Sequence, residues 1–181
     1  MRQIISEFLE ALVDENNNEN PTKKIINEYC VQFYLAMHLA MRDFTMTLEQ
    51  PFQEQSLDLV ARNNGDNRKY VIELKCCLVS GGYTASMRSV WDDLNRLEKL
   101  KSRQEIEHGY FIMVTNNRYI WSGQGDPQNQ AMYKCFHGNE INIVGIEGLG
   151  NINRNYSADW FPARDPQHMA EEKFRYFVVE V

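Results

Sequence analysis

The residues best suited to chemistry in this sequence are Asp58, Glu73 and Lys75, because each lies in a segment that otherwise has the apolar composition of a β-strand. Asp58 stands between two leucines, and the other two residues belong to the run KYVIELKCC. In a strand, side chains two residues apart point to the same face. The carboxylate of Glu73 and the ammonium group of Lys75 are therefore expected to face the same way.

The segment between these two runs predicts a β-hairpin that brings Asp58 beside Glu73. Its sequence, NNGDN over 63–67, is typical of a turn. If Arg62 pairs with Lys69, Asp58 lies directly opposite Glu73. A slip of two residues keeps the two acids on one face, whereas a slip of one separates them. We expect the leucines on either side of Asp58 to lie on the core face, which favours the registers that keep the acids together.

Two carboxylates at this spacing need a compensating positive charge, because their Cβ atoms would be about 5 Å apart and the groups would repel each other. Lys75 supplies one positive charge. A Mg²⁺ ion supplies more, since it prefers oxygen ligands and commonly binds one or two carboxylates together with a substrate phosphate. Such an ion polarises a phosphoryl group and lowers the pKa of a bound water. A nearby lysine can stabilise the developing negative charge or orient the attacking water. These groups are sufficient in kind to hydrolyse a phosphodiester.

The spacing of these residues resembles the motif of the PD-(D/E)XK nuclease superfamily. Fourteen residues separate Asp58 from the tripeptide Glu73-Leu74-Lys75. The resemblance extends to the order of predicted elements over 22–121, which is a helix, the motif hairpin, a second helix and a buried strand. It implies a restriction-endonuclease-like fold of the α/β (α+β) class, with a central mixed β-sheet flanked by α-helices. One departure is Leu57, which stands where the name of the motif has proline, at a position that varies in the superfamily.

By this resemblance, the chain is expected to be a Mg²⁺-dependent endonuclease that hydrolyses DNA in restriction, phage defence or repair, with RNA not excluded. Asp58, Glu73 and the main-chain carbonyl of Leu74 would bind Mg²⁺, for which Mn²⁺ would substitute. Lys75 would assist the nucleophilic water, and Glu28 on the preceding helix would support the metal. Nucleases of this type often dimerise to cut two strands, so the resemblance is also compatible with a homodimer.

Two other interpretations compete with this one. A catalytically silent module of the same fold, which binds nucleic acid or protein, agrees with the acidic net charge. Alternatively, Glu73 and Lys75 lie on the solvated face of an edge hairpin, and Glu28 lies on the solvent side of its helix. Metal binding distinguishes these interpretations, because only the nuclease requires the acids to hold a divalent ion.

Basic residues in two places are candidates for contact with a nucleic-acid backbone. They are Arg62, Arg68 and Lys69 at the hairpin turn, and Arg88 and Arg96 on the following helix. A turn needs polar residues in any case. Arg96 also lies four residues after Asp92, which favours an intrahelical ion pair as an alternative role.

Hydrophobic periodicity and turn signals predict one domain over 1–181. It comprises N-terminal helices over 2–44, the motif hairpin over 52–77, a helix over 86–104, strands over 109–121 and an irregular C-terminal region over 122–181 that ends in a strand candidate at 174–181. Asn20-Pro21 is typical of a helix start and predicts a second helix from there to about Phe44. Its expected buried stripe is Ile25, Ile26, Tyr29, Cys30, Phe33, Met37, Ala40 and Met41. The segment 123–168 could supply specificity or a dimer contact.

Composition limits the remaining classes. The 181 residues include 19 basic and 25 acidic side chains, so the net charge is −6, which excludes a uniformly basic nucleic-acid coat but not a local basic face. The longest stretch without a charged side chain is the thirteen residues Tyr29–Met41, against the ~20 that span a membrane, so no membrane segment is expected. Four cysteines without a CxxC pair give little support to a zinc site and favour reduced thiols in a cytoplasm.

Overall fold

The structure is a computed structural model, and it describes residues 1–18, 21–52, 55–79, 83–117, 120–121, 152, 156, 159–162 and 173–181. These residues form three helices, α1 (Arg2–Asn17), α2 (Glu28–Ala40) and α3 (Tyr83–Ser102), and five strands, β1 (Phe44–Phe52), β2 (Gln55–Asn63), β3 (Lys69–Cys77), β4 (His108–Thr115) and β5 (Arg175–Glu180). The segment 123–168 lies outside the described residues apart from 152, 156 and 159–162.

The strands form a mixed sheet in the order β1-β2-β3-β4-β5. β3 and β4 are parallel, and the other neighbouring pairs are antiparallel. Because parallel neighbours need a long crossover, α3 connects β3 to β4. The predicted α+β class with a mixed sheet is confirmed.

Helices cover both faces of this sheet. α1 and α2 pack on one face, where they bury Leu9 and Ile72 among others, and α3 packs on the other, with Trp91 and Phe111. Burying one such aliphatic or Phe side chain contributes about 1.5–3 kcal/mol. Residues 109–115 of β4 are all buried, as expected for an apolar strand with helices on both sides.

The β2–β3 hairpin has the predicted register. Arg62 pairs with Lys69, and the pairing continues inward from there. In the turn, Oδ1 of Asn63 accepts a hydrogen bond from the N–H of Gly65 at 2.8 Å. Asn67 has a φ of 62°, a conformation that asparagine tolerates better than most residues. The turn residues therefore determine the register of the strands that carry the candidate site.

The predicted start of the second helix at Asn20-Pro21 is wrong. Residues 21–27 are not helical, and α2 begins at Glu28. Side chains at the end of α1 hydrogen-bond the intervening backbone instead. Asn27 caps α2, since its Oδ1 accepts a hydrogen bond from the N–H of Cys30 at 2.9 Å.

The predicted buried stripe of this helix is also wrong. Ile25 is buried and Cys30 is half-buried, but the other members are exposed, namely Ile26, Tyr29, Phe33, Met37, Ala40 and Met41. The side that packs on the sheet carries Val31, Gln32, Leu35, Ala36 and Leu39. The helix is apolar on both sides, so apolar spacing alone does not identify the buried one.

The strand predictions have mixed outcomes. β1 is not predicted from the sequence, because the predicted second helix ends at about Phe44, the predicted hairpin begins at 52, and no element is predicted over 45–51. β5 confirms the strand expected over 174–181. The end of the strands predicted over 109–121 is wrong where it is described, since Ile120 and Trp121 are helical, and residues 118 and 119 lie outside the described residues.

Candidate active site

The candidate site lies where β2 and β3 separate. The regular pairing between the two strands ends at Ile72. Beyond Ile72, the next two main-chain N–H groups on that side of β3 donate to carboxylates instead of to β2. The N–H of Leu74 donates to Oδ2 of Asp58 at 2.7 Å, and the N–H of Cys76 donates to Oε2 of Glu28 at 3.1 Å. The N–H and carbonyl of one strand residue point to the same side. The main-chain carbonyl of Leu74 therefore faces the same opening as Asp58.

An irregularity in β2 at Asp58 shapes this opening. Buried Gln32 on α2 donates from Nε2 to Oε1 of Glu49 at 2.9 Å and to the main-chain carbonyl of Asp58. Glu49 has a φ of 48° and faces Asp58 at the one position where the β1–β2 pairing is interrupted. Leu57 consequently packs with the core under α3, whereas Leu59 packs with the core under α1 and α2. The expectation that both leucines share one core face is therefore wrong.

Glu73 is completely buried, with 0% of its surface exposed. Its Oε1 accepts a hydrogen bond from Nε of Arg96 at 2.8 Å, whereas Oε2 has no hydrogen-bond partner within the described part of the chain. Burial, and next the charge of Asp58, raise the pKa of Glu73 to about 9, although Arg96 opposes this shift. A buried carboxylate oxygen without a partner is costly. A cation beside it would remove that cost.

Lys75 lies between two carboxylates, with Nζ 3.2 Å from Oδ2 of Asp93 and 3.3 Å from Oε1 of Glu28. Burial by itself lowers the pKa of Lys75, but the charges of Asp93 and Glu28 outweigh burial, and the pKa is raised above its ordinary value. Lys75 is therefore a charged donor at neutral pH and not a base. Burial has the opposite effect on Glu28, whose pKa is raised.

Asp93 was not identified from the sequence, although it contacts the site from α3. It is 4% exposed, and its Oδ1 lies 2.6 Å from Nη2 of Arg96. Burial raises its pKa to about 6. The proposed alternative pair of Arg96 with Asp92 is wrong, since Asp92 is exposed and Asp93 is the partner. Asp93 directly follows Asp92 on a helix with many charged residues, so its position in the sequence gives no signal that distinguishes it.

The predicted nucleic-acid contacts have different surroundings. Arg96 binds Glu73 and Asp93 and faces the site. The remaining candidates lie at the hairpin turn or on α3. Arg62 and Arg68 are exposed and Lys69 is half-buried, while the side chain of Arg88 lies outside the described residues. Their contact with nucleic acid stays a prediction.

Acidic side chains outnumber basic ones at this site. Among the described residues, four acids meet two bases here, and the set is Glu28, Asp58, Glu73, Asp93, Lys75 and Arg96. With all six ionised, two negative charges would be uncompensated, and the raised pKa of Glu73 means that a proton offsets one of them at neutral pH when no cation is present. No group of three or more His, Cys, Asp or Glu side chains is arranged to hold a metal in the described ranges. Asp58 and Glu73 would accordingly need the main-chain carbonyl of Leu74 as a further oxygen ligand.

Searches against protein-family models, curated proteins and solved structures gave no match to this chain. Among the described helices, none is long and apolar enough to cross a membrane.

Proposed function

We propose that this chain is a Mg²⁺-dependent endonuclease of the PD-(D/E)XK type and that DNA is its substrate. One observation carries the proposal: the predicted residues Asp58, Glu73, Lys75 and Glu28 meet at the break between β2 and β3, with one buried carboxylate oxygen left without a partner. A solvated edge hairpin would not bury Glu73 or enclose Lys75 between acids. The mixed sheet with helices on both faces supports a restriction-endonuclease-like fold for the chain.

Each residue has a role that follows from its position. Asp58, Glu73 and the carbonyl of Leu74 would hold the ion, which when bound polarises a phosphoryl oxygen and lowers the pKa of a coordinated water. Lys75 donates to the attacking water or to a phosphate oxygen, and its charge stabilises the transition state. Glu28 positions Lys75 and also binds the main chain of β3.

A second candidate function is a silent binding module of the same fold. The guanidinium of Arg96 already neutralises Glu73 at 2.8 Å, as it would in a site that has no need of a metal. In that case the four acids and two bases would serve only to hold α2 and α3 against β3. This candidate predicts binding to nucleic acid or protein without turnover.

Cleavage of supercoiled plasmid, single-stranded DNA and RNA with Mg²⁺ or Mn²⁺ tests the proposal. We expect metal-dependent nicking of DNA by the unmodified chain. Lys75→Met and Asp58→Asn should each lower the rate by about 10²-fold or more, since each removes a charge that acts in the transition state. Lys99→Met, which changes an exposed lysine on α3, is the matched control and should retain full activity.

The outcomes separate the two candidates. If all variants and the unmodified chain leave every substrate intact, while fluorescence anisotropy detects binding to DNA or RNA, the silent module replaces the nuclease. Cleavage that persists at the same rate in Lys75→Met would indicate a contaminating nuclease and contradict the assigned roles.

A further inference from the structure

The side of α2 that faces away from the sheet is a continuous apolar surface. It is formed by Ile26, Tyr29, Phe33, Met37 and Met41, which are 65%, 67%, 52%, 50% and 82% exposed, respectively. We call these five side chains the outer stripe. They follow each other at intervals of three or four residues, so they lie along one face of the helix and its two ends. The opposite side of α2 is buried against the sheet.

A helix that is apolar all around is normally buried all around. No charged side chain occurs from Tyr29 through Met41, on either side of the helix. The single chain covers only the inner side within the described residues. The apolar sequence of α2 therefore predicts that the outer stripe is covered. The described residues of one chain do not cover it.

The exposed area is large enough for an interface. Side chains of these sizes each present about 200 Å² when fully exposed, so at their exposed fractions the outer stripe presents roughly 600 Å². The largest apolar patch on a typical monomer measures about 300–600 Å². A stable protein–protein interface buries about 800 Å² on each partner. The outer stripe alone would supply about three-quarters of that area.

We propose that the outer stripe is the interface of a homodimer, in which α2 packs against α2 of a second copy about a twofold axis. A twofold interface brings one surface patch against itself, so the patch must be self-complementary. An uncharged apolar stripe meets this condition, because it contains no charge to repel its own copy. It offers a nucleic acid no positive charge, and it offers a charged protein partner no ion pair.

The proposal does not depend on the nuclease activity, and its test uses neither metal nor DNA. Analytical ultracentrifugation of the full chain over a concentration series should show a reversible monomer–dimer equilibrium. Phe33→Glu would place two like charges at the centre of the apolar contact, and dimer affinity should fall by about 30-fold or more, as at an interface hot spot. Ala11→Glu, which adds the same charge at an exposed position of α1, should leave the dimer unchanged.

A second variant keeps the test decisive if Phe33→Glu disturbs folding. Met41→Glu changes the most exposed member of the stripe, so the fold should tolerate it, with an unchanged circular dichroism spectrum. It should weaken the dimer in the same direction. A chain that stays monomeric into the high micromolar range would overturn the proposal, and so would a dimer that both variants leave intact.

Discussion

At the scale of single residues, burial determines the character of the candidate site. Glu73 is completely enclosed and relies on one hydrogen bond from Arg96. Lys75 is enclosed between Asp93 and Glu28, which keep it charged. The site is therefore a set of ionisable groups whose protonation depends on what else occupies it.

This burial predicts how stability depends on pH in the absence of metal. The pKa of Glu73 rises from an ordinary 4.5 to about 9 in the fold, where Asp58, Asp93 and Arg96 surround it. Between those values the folded chain holds an extra proton at Glu73, so the contribution of this group to stability is fully present below about pH 4.5 and is lost as the pH rises toward 9. The loss is at most about 1.4 kcal/mol per pH unit for one proton.

Urea unfolding in the presence of a chelator, between about pH 7 and 9, measures this dependence. Glu73→Gln imitates the protonated acid and should flatten the slope. Glu107→Gln, at an exposed position, should keep the slope of the unmodified chain. Equal slopes for the unmodified chain and Glu73→Gln would show that Glu73 is ionised in the fold.

The sequence predicts some of these residues and not others. Asp58, Glu73 and Lys75 were identifiable because charges inside apolar strands are unusual, and Glu28 through the family resemblance. Asp93 and Arg96 lie on a helix with many charged residues, and helical spacing alone does not show which of them turn inward. Their roles become visible only when α3 is placed on the sheet.

At the scale of elements, short polar contacts determine where α2 begins. Glu15 accepts a hydrogen bond from the N–H of Thr22 at 2.6 Å, and Asn16 accepts one from the N–H of Ile25 at 2.9 Å. These bonds hold the connection in a non-helical path, which no local pattern at Asn20-Pro21 reveals. The shorter helix then places Glu28 in its first turn and directs it into the site.

The assignment of Asn27 as the cap predicts a specific stability change. Asn27→Ala should lower the free energy of unfolding by about 1 kcal/mol, because the N–H of Cys30 loses its acceptor. Asn27→Ser should retain most of the stability. Pro21→Ala should leave helix content unchanged, since residue 21 precedes the helix.

Urea unfolding and circular dichroism check all three variants. A loss of helix in Pro21→Ala that matches the loss in Asn27→Ala would contradict the observed start of α2.

β1 is an element that the sequence does not reveal. It is an edge strand with exposed residues over 47–49, so it lacks the apolar alternation that identifies a strand in a sequence.

At the scale of the whole molecule, the sheet topology brings side chains from helices on both faces of the sheet together at the site. β3 is paired with β4 over residues 70–77 but with β2 only over residues 69–72. α2 reaches Lys75 from one face of the sheet and α3 reaches it from the other. The mixed sheet and the hairpin register could be predicted from the sequence, because turn residues and buried apolar runs specify them. The convergence of the two helices depends on long-range packing, which local patterns do not encode.

The proposed nuclease requires that the carboxylates at this break hold a divalent metal. Titration with Mn²⁺, followed through the electron paramagnetic resonance signal of the free ion, tests it most directly and requires no turnover. We expect saturable binding to the unmodified chain, weaker by about 10-fold or more in Asp58→Asn, as for loss of a metal ligand or its support. Asp92→Asn, at an exposed acid next to Asp93, should bind like the unmodified chain. Absence of saturable binding to the unmodified chain, or equal binding by Asp58→Asn, would contradict the claim.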